Sequence, residues 1–128
     1  MPGHHHGVMG NAMSIAASGM QAASVRLEAA ASNIVNMDSN GYQPVSATQS
    51  ATPEGGVSAS LQPVTPASLL AYDPASPYAN VQGMVAQPNV DLPTEIVNMK
   101  LASHSFEASI QAYKAASQMF KTLLDATS

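Results

Sequence analysis

Hydrophobic positions recur with helical spacing over two long stretches of the chain, one near each end. In the second stretch, residues 91–126, apolar or small residues alternate at intervals of three and four, as on one face of an α-helix. The predicted inward positions are Ile96, Met99, Ser103, Phe106, Ile110, Tyr113, Ser117, Phe120 and Leu124. A helix of roughly 33 residues would be about 50 Å long. Few large apolar side chains are left elsewhere in the chain to pack against this helix. Its apolar face must therefore be covered by something, and the open question is whether that is another part of this molecule or a neighbouring molecule.

The first stretch, residues 13–37, has the same spacing but smaller side chains. Its stripe consists of Met13, Ala16, Met20, Ala23, Leu27, Ala30, Ile34 and Met37. Small residues on alternate layers allow another helix to approach closely, as in a coiled coil. The only charges in the stretch before its end are Arg26 and Glu28. This favours burial on several sides over the ordinary core helix of a small domain. We expect the second helix to be about eight residues longer than this one.

The chain between the two stretches has a different composition. Residues 36–42 end the first helix, because Asn and Asp hydrogen-bond their own backbone and Gly41 can adopt a positive φ. Residues 43–90 hold seven of the nine prolines and no Lys or Arg. Weak alternation of apolar and polar residues predicts short strands near 57–62 and 81–86, separated by a turn at 72–77. We expect an extended connector that could contain one short β-hairpin, and disorder of 43–70 in the isolated chain is the alternative.

The predicted fold is therefore mainly α. Asp91 is a suitable N-cap, Pro93 fits the first turn, and Glu95 lies at the positive end of the helix dipole. The two long helices would pair as a coiled-coil-like hairpin joined by the Pro/Ser-rich connector. We divide the chain into a leader or tag (1–12), the N-terminal helix and turn (13–42), the connector (43–90) and the C-terminal helix (91–128).

Composition narrows the classes of partner. The formal net charge is −4 with only four Lys and Arg residues, which provides no basic surface for nucleic acid or anionic lipid. Cysteine is absent, so disulfides and thiolate chemistry are excluded. No apolar run reaches the roughly 18 residues that a membrane span requires. Residues 1–12 lack the pattern of a cleavable signal peptide, and His4 to His6 favour a leader or tag over a metal site.

Candidate chemistry is sparse. His104 and Glu107 are three residues apart on the second helix and could share a metal or a proton, but no third partner has helical spacing to them. No Ser or Thr has a recognisable base, and the acidic residues occur singly. We expect no enzyme activity and no cofactor. The alternative of a metal-dependent enzyme would require tight, stoichiometric metal binding after removal of residues 1–12.

Three blocks of sequence together resemble the axial proteins of the bacterial flagellum, the family of rod, hook and junction subunits. The N-terminal block includes Ser18-Gly19-Met20, Arg26-Leu27, Ala31-Ser32-Asn33-Ile34-Val35-Asn36 and Gly41-Tyr42. The C-terminal block runs over residues 90–124. The middle block, residues 72–90, is similar to that of the short proximal rod members. Its motif positions are Asp73, Pro74, Gly83, Pro88 and Asn89, which join Asn33, Asn36, Gly41 and Tyr42 from the first block.

The resemblance implies a structural subunit of the basal-body rod, which spans the periplasm. It implies export through the flagellar apparatus without a cleaved signal, and helical polymerisation with itself and other rod proteins to form a drive-shaft and export channel. Small-molecule substrates and membrane insertion are not expected. The predicted assembly positions are Met20, Leu27, Ile34, Ile96, Met99, Phe106, Ile110, Tyr113, Phe120 and Leu124. A helical protein–protein binding module or adaptor is the alternative function.

Overall fold

The chain begins and ends with a long helix, and four short strands lie between the two helices in sequence. The computed structural model describes residues 2–127, with side chains described from residue 11 onward. The elements are α1 (Pro2–Val35), β1 (Val45–Ala51), β2 (Val57–Pro63), β3 (Ser68–Tyr72), β4 (Met84–Pro88) and α2 (Leu92–Thr127). The two helices lie against each other along their lengths, and β1 and β2 lie against α1. The mainly helical architecture predicted from the sequence is confirmed.

The connector forms two separate antiparallel hairpins. In hairpin 1, β1 pairs with β2 from Val45 opposite Pro63 to Ala51 opposite Val57. In hairpin 2, β3 pairs with β4 from Ser68 opposite Pro88 to Tyr72 opposite Met84. Among the described elements, neither helix and neither strand of hairpin 1 packs its backbone against hairpin 2. The connector therefore contains two hairpins, whereas the sequence predicted one at most.

The strand predictions were partly right. The strand expected near 57–62 is β2, and the strand expected at 81–86 begins later, at Met84, because residues 80–83 form a turn. Their partners β1 and β3 were not predicted. The turn predicted at 72–77 is present, with the Ser76 amide donating to the Asp73 carbonyl at 3.1 Å.

One helix start agrees with the prediction from the sequence, and the other differs from it. At the start of α2 the Thr94 amide donates to a carboxylate oxygen of Asp91 at 3.3 Å, and the Glu95 amide donates to the Asp91 carbonyl at 3.0 Å. Asp91 therefore acts as the predicted N-cap. The other boundary differs from the prediction. Helix α1 begins at Pro2 rather than Met13, so α1 has 34 residues and α2 has 36, and the expected excess length of α2 nearly disappears.

The N-terminal stripe lies where the sequence predicted. All eight of its positions, from Met13 to Met37, are buried or half-buried. Further buried residues, Ala22, Ala29 and Asn33, lie beside the stripe. Helix α1 is buried on more than one side because α2 and hairpin 1 both pack on it. This agrees with the expected burial on several sides.

Candidate assembly surface

The contact between α1 and α2 is made mainly by small side chains. The buried residues of the two helices are Ala16, Ala22, Ala23, Ala29, Ala30 and Asn33 on α1 and Ala102 and Ala116 on α2. At Gly19 the approach is so close that an added Cβ would come within 2.5 Å of the Ser109 hydroxyl oxygen. Interaxial distance depends on the size of the side chains at the contact. The two helices therefore meet through a narrow seam of Ala, Ser and Gly.

The buried line of α2 is displaced from the predicted one by one residue. Ala102 is 0% exposed, whereas the adjacent Ser103, which was predicted to face inward, is exposed. The prediction gave weight to the large apolar residues, whereas the close approach of the helices selects the small ones. A side chain of the size of Phe or Leu at the centre of this seam would push the helices apart.

The predicted assembly residues divide into two groups. Half-buried positions flank the seam, and these are Met20, Leu27, Ile34, Met99, Phe106, Ile110 and Phe120. The remaining three, Ile96, Tyr113 and Leu124, are exposed. The structure thus brings the first group to the edges of the helix pair and leaves the second group facing outward.

Sequence reasoning missed part of the exposed apolar surface of α2. Val97 is 54% exposed, Leu101 is 51% exposed and Met119 is 56% exposed, although all three are apolar. We use the term outer α2 surface for these three residues together with Ile96, Tyr113 and Leu124. The signal that could have found Val97 and Leu101 is their own spacing of four residues, which places a second apolar row beside the predicted one.

The end of α1 is joined to β1 through the buried side chain of Asn33, which is 2% exposed. Its amide nitrogen donates to the Val45 carbonyl at 2.7 Å, and its oxygen accepts the Val45 amide at 3.0 Å. The same oxygen accepts the Tyr42 hydroxyl at 2.8 Å. The Ser32 hydroxyl lies 2.9 Å from the Tyr42 hydroxyl. Since the single proton of Tyr42 is directed to Asn33, Ser32 is the donor in that pair.

The other motif residues of this block complete the turn. The Asn36 side chain donates to the Ser32 carbonyl at 3.0 Å and accepts the Ser39 hydroxyl at 3.1 Å. Gly41 has φ +80°, a conformation that other residues rarely adopt. The four motif residues of the N-terminal block are therefore brought together in one hydrogen-bonded junction. The Asn33 side chain pairs with β1 as the backbone of a neighbouring strand would, because it exchanges two hydrogen bonds with one residue of β1.

The motif residues of the middle block lie together in hairpin 2. The Asp73 amide donates to the Gly83 carbonyl at 2.9 Å, and Gly83 has φ +79°. An added Cβ at Gly83 would come within 2.8 Å of the Tyr72 ring and 3.2 Å of Pro74. At the other end, the Asn89 amide donates to Ala67 at 2.9 Å and its side chain donates to Pro66 at 3.0 Å, next to the pairing of Pro88 with Ser68. These residues close the two ends of the hairpin.

Five charged side chains of α2 are exposed, namely Lys100, Glu107, Lys114, Lys121 and Asp125. Arg26 reaches across the seam and donates to the Ser105 hydroxyl at 3.3 Å. His104 and Glu107 are both exposed on α2. Within the part of the chain that the structure describes, no three His, Asp or Glu side chains come together as metal ligands would. In the same described part, neither helix has a stretch long and apolar enough to cross a membrane.

Two family models match the chain in the regions of its helices. The family described as "Flagella basal body rod protein" matches residues 13–43. The family described as "Flagellar basal body rod FlgEFG protein C-terminal" matches residues 81–126. The first match contains the four motif residues Asn33, Asn36, Gly41 and Tyr42, and the second contains β4 and the whole outer α2 surface.

Individual relatives match over nearly the full length. The flagellar basal-body rod protein FlgC of Salmonella typhimurium is 40% identical over 126 residues, which cover 88% of this chain and 94% of the relative. FlgC of Escherichia coli O6:H1 is 38% identical over 127 residues, covering 88% and 94% of the two chains. FlgC of Aquifex aeolicus is 32% identical over 127 residues, covering 91% and 95%. This chain belongs to the FlgC family of flagellar basal-body rod proteins.

Proposed function

We propose that this chain is a structural subunit of the flagellar basal-body rod and assembles, with copies of itself and with other rod proteins, through the outer α2 surface. Its relatives are named flagellar basal-body rod proteins. The finer elements of the proposal are helical polymerisation, a coiled-coil-like arrangement of the terminal helices, and export through the flagellar apparatus without a cleaved signal. The resulting polymer would serve as drive-shaft and export channel.

The observation that carries the proposal is the exposure of large apolar side chains along α2. Leu101, Val97 and Met119 are each more than half exposed. Large apolar side chains that are exposed close together mark a contact with another protein, and Val97 and Leu101 lie one helical turn apart. Burial of one Leu or Met side chain contributes about 1.5–3 kcal/mol. A few such residues at each contact therefore offset much of the entropic cost of association.

The geometry of the helix pair explains why these residues remain uncovered. The seam is already filled by small residues such as Ala102 and Gly19, so the larger ones cannot enter it. They extend along a helix of 36 residues, about 54 Å in length. If this surface contacts a different surface of the next copy, the contact is heterologous, and heterologous contacts that do not close produce helical filaments.

The roles of the remaining assembly positions follow from their burial. Met20, Leu27, Ile34, Met99, Phe106, Ile110 and Phe120 are half-buried, and in our proposal their outer edges extend the contact made by Ile96, Tyr113 and Leu124. The motif residues have a different role. Asn33, Asn36, Gly41 and Tyr42 set the direction in which the chain leaves α1, and Asp73, Pro74, Gly83, Pro88 and Asn89 shape hairpin 2.

A matched pair of charge substitutions on α2 tests the proposal. Leu101→Asp and Gln111→Asp both add one negative charge at an exposed position. We expect the purified wild-type chain to form polymers as its concentration rises, as measured by sedimentation velocity and electron microscopy. Leu101→Asp should abolish these polymers, and Gln111→Asp should retain them.

Two outcomes would contradict the proposal. One is a wild-type chain that stays a stable, folded monomer at high concentration. This would favour the alternative of a binding module or adaptor that uses the same surface on a single partner. The other is equal assembly of both variants, which would remove the outer α2 surface from the contact. Circular dichroism of each dilute variant shows whether it is folded.

A further inference from the structure

Hairpin 1 is attached to α1 at two polar points, one at each end of the hairpin. At its base, Val45 is paired with Asn33. At its tip, the Val57 amide donates to the Ser18 hydroxyl oxygen at 3.1 Å. On α1, Ser18 and Asn33 are about four turns apart, or about 22 Å. A strand of seven residues spans about 23 Å, so the length of the hairpin matches the distance between its two attachments.

The base is held by several buried groups. Asn33 makes two hydrogen bonds with Val45 and one with Tyr42. Pro44, the residue before the strand, is fully buried. The Val64 amide also donates to the Pro44 carbonyl at 2.9 Å, which ties the outgoing strand to the same place. Release of the base would leave the buried amide nitrogen of Asn33 without its acceptor, which is costly.

Fewer polar contacts hold the tip of the hairpin than hold its base. Ser18 donates to the Ile15 carbonyl at 2.7 Å and accepts only the Val57 amide from the hairpin. The approach is close at Gly56, where an added Cβ would come within 2.6 Å of the Ser18 hydroxyl oxygen. The turn at the tip, residues 52–55, is half-buried or exposed. One hydrogen bond between neutral groups, the close approach of Gly56 to Ser18 and the approach of Gly55 to Ile15 therefore fix this end.

The inner face of the hairpin adds little apolar attachment between the two points. Its inward residues are Val45, Ala47, Val57 and Ala59, all of them small or medium in size and none of them fully buried. The outward face carries hydroxyl groups that pair with each other across the strands, such as Thr48 with Ser60 at 3.2 Å. The strength of attachment is thus concentrated at the base.

We propose that hairpin 1 is a strap that is hinged at Asn33 and latched at Ser18. Its tip opens away from α1 while its base stays attached and both helices stay folded. Opening exposes more of Ile15, which is 37% exposed in the closed state and lies beside Gly55 of the tip. The strap assigns a role to Ser18, which belongs to the Ser18-Gly19-Met20 motif and is not explained by the assembly surface. It concerns motion within one subunit and does not depend on polymerisation.

Amide hydrogen exchange of the full-length chain, measured by NMR at low concentration, tests the strap. In the wild-type chain we expect the Val57 amide to exchange faster than the Val45 amide. Ser18→Ala removes the acceptor of the Val57 amide and should accelerate its exchange about 5-fold to 10-fold, as expected for loss of one neutral hydrogen bond. Exchange at Val45 should change less than about twofold, because local openings are independent when they belong to separate units.

Two further variants complete the test. Ser58→Ala is the matched control, because Ser58 is exposed, lies next to Val57 and pairs only with Ser50 on the outer face. It should leave both amides unchanged. Gly56→Ala keeps Ser18 but introduces the close contact, and should accelerate exchange at Val57 as Ser18→Ala does. Equal acceleration of Val45 and Val57 in Ser18→Ala would show that the hairpin opens as one body. Unchanged exchange at Val57 would show that Ser18 is no latch. Either result overturns the strap and leaves the assembly proposal untouched.

Discussion

The two long helices have similar lengths but opposite surroundings. The seven stripe residues that lie on α1, from Met13 to Ile34, are all buried or half-buried, since α2 covers one side of the helix and hairpin 1 another. Helix α2 is covered on one side only, and its fully buried residues are two alanines, Ala102 and Ala116. The comparison shows how one chain separates two tasks. Helix α1 holds the subunit together, and α2 has large apolar side chains left over for contacts with other molecules.

The largest expected effect comes from placing a charge in the seam that the two helices share. Ala102→Asp would bury a carboxylate at a position that is 0% exposed. We expect the free energy of unfolding to fall by about 3 kcal/mol or more, measured by urea denaturation of the dilute chain.

Its control is the neighbouring residue. Ser103→Asp adds the same charge at an exposed position and should change stability by less than about 0.5 kcal/mol. If Ser103→Asp proved the more damaging of the two, the seam would follow the stripe that the sequence predicted, and the displacement by one residue would be wrong.

The next effect concerns the end of α1. Asn33→Ala removes three hydrogen bonds and leaves the Val45 amide and carbonyl without partners. We expect a loss of about 2–3 kcal/mol in stability, together with loss of protection at Val45 in hydrogen exchange. Asn98→Ala, at an exposed position of α2, is the control and should be nearly neutral. A neutral Asn33→Ala would mean that the junction does not hold hairpin 1 on α1.

A smaller effect on stability, with a large effect on assembly, is expected at the edge of the seam. Ile110→Asp places a charge at a half-buried position, whereas Gln111 is exposed. Ile110→Asp should lower the stability of the monomer by about 1–2 kcal/mol and prevent polymers from forming, as followed by light scattering. Gln111→Asp should leave both unchanged. Equal tolerance at the two positions would contradict the proposed role of Ile110.

The comparison of the helices also shows what the sequence could and could not predict. The α1 stripe was correct because alanine alternates with larger residues at fixed spacing, and that pattern has one helical interpretation. The α2 stripe was displaced because hydrophobicity alone ranks Phe106 above Ala102, whereas the depth of burial here depends on how closely two backbones approach. The Asp91 cap was predictable, because capping is a local interaction.

Pairing between strands was the least predictable feature. Strand β1 consists of Val, Ser, Ala, Thr and Gln, and its alternation is too weak to show in the sequence. Its position depends on Asn33, twelve residues away from Val45 in the chain. The sequence identified Asn33 as a motif residue through family resemblance. Its double hydrogen bond with Val45 requires the three-dimensional structure.

Oxidative footprinting of methionine side chains tests the division of tasks between the helices most directly. Met119 on the outer α2 surface is 56% exposed, and Met13 on the α1 stripe, which is not one of the assembly positions, is half-buried. Oxidation of methionine follows solvent exposure, so assembly should slow the oxidation of Met119 by about tenfold and that of Met13 by less than about twofold. Protection of Met13 with continued oxidation of Met119 in the polymer would contradict the account.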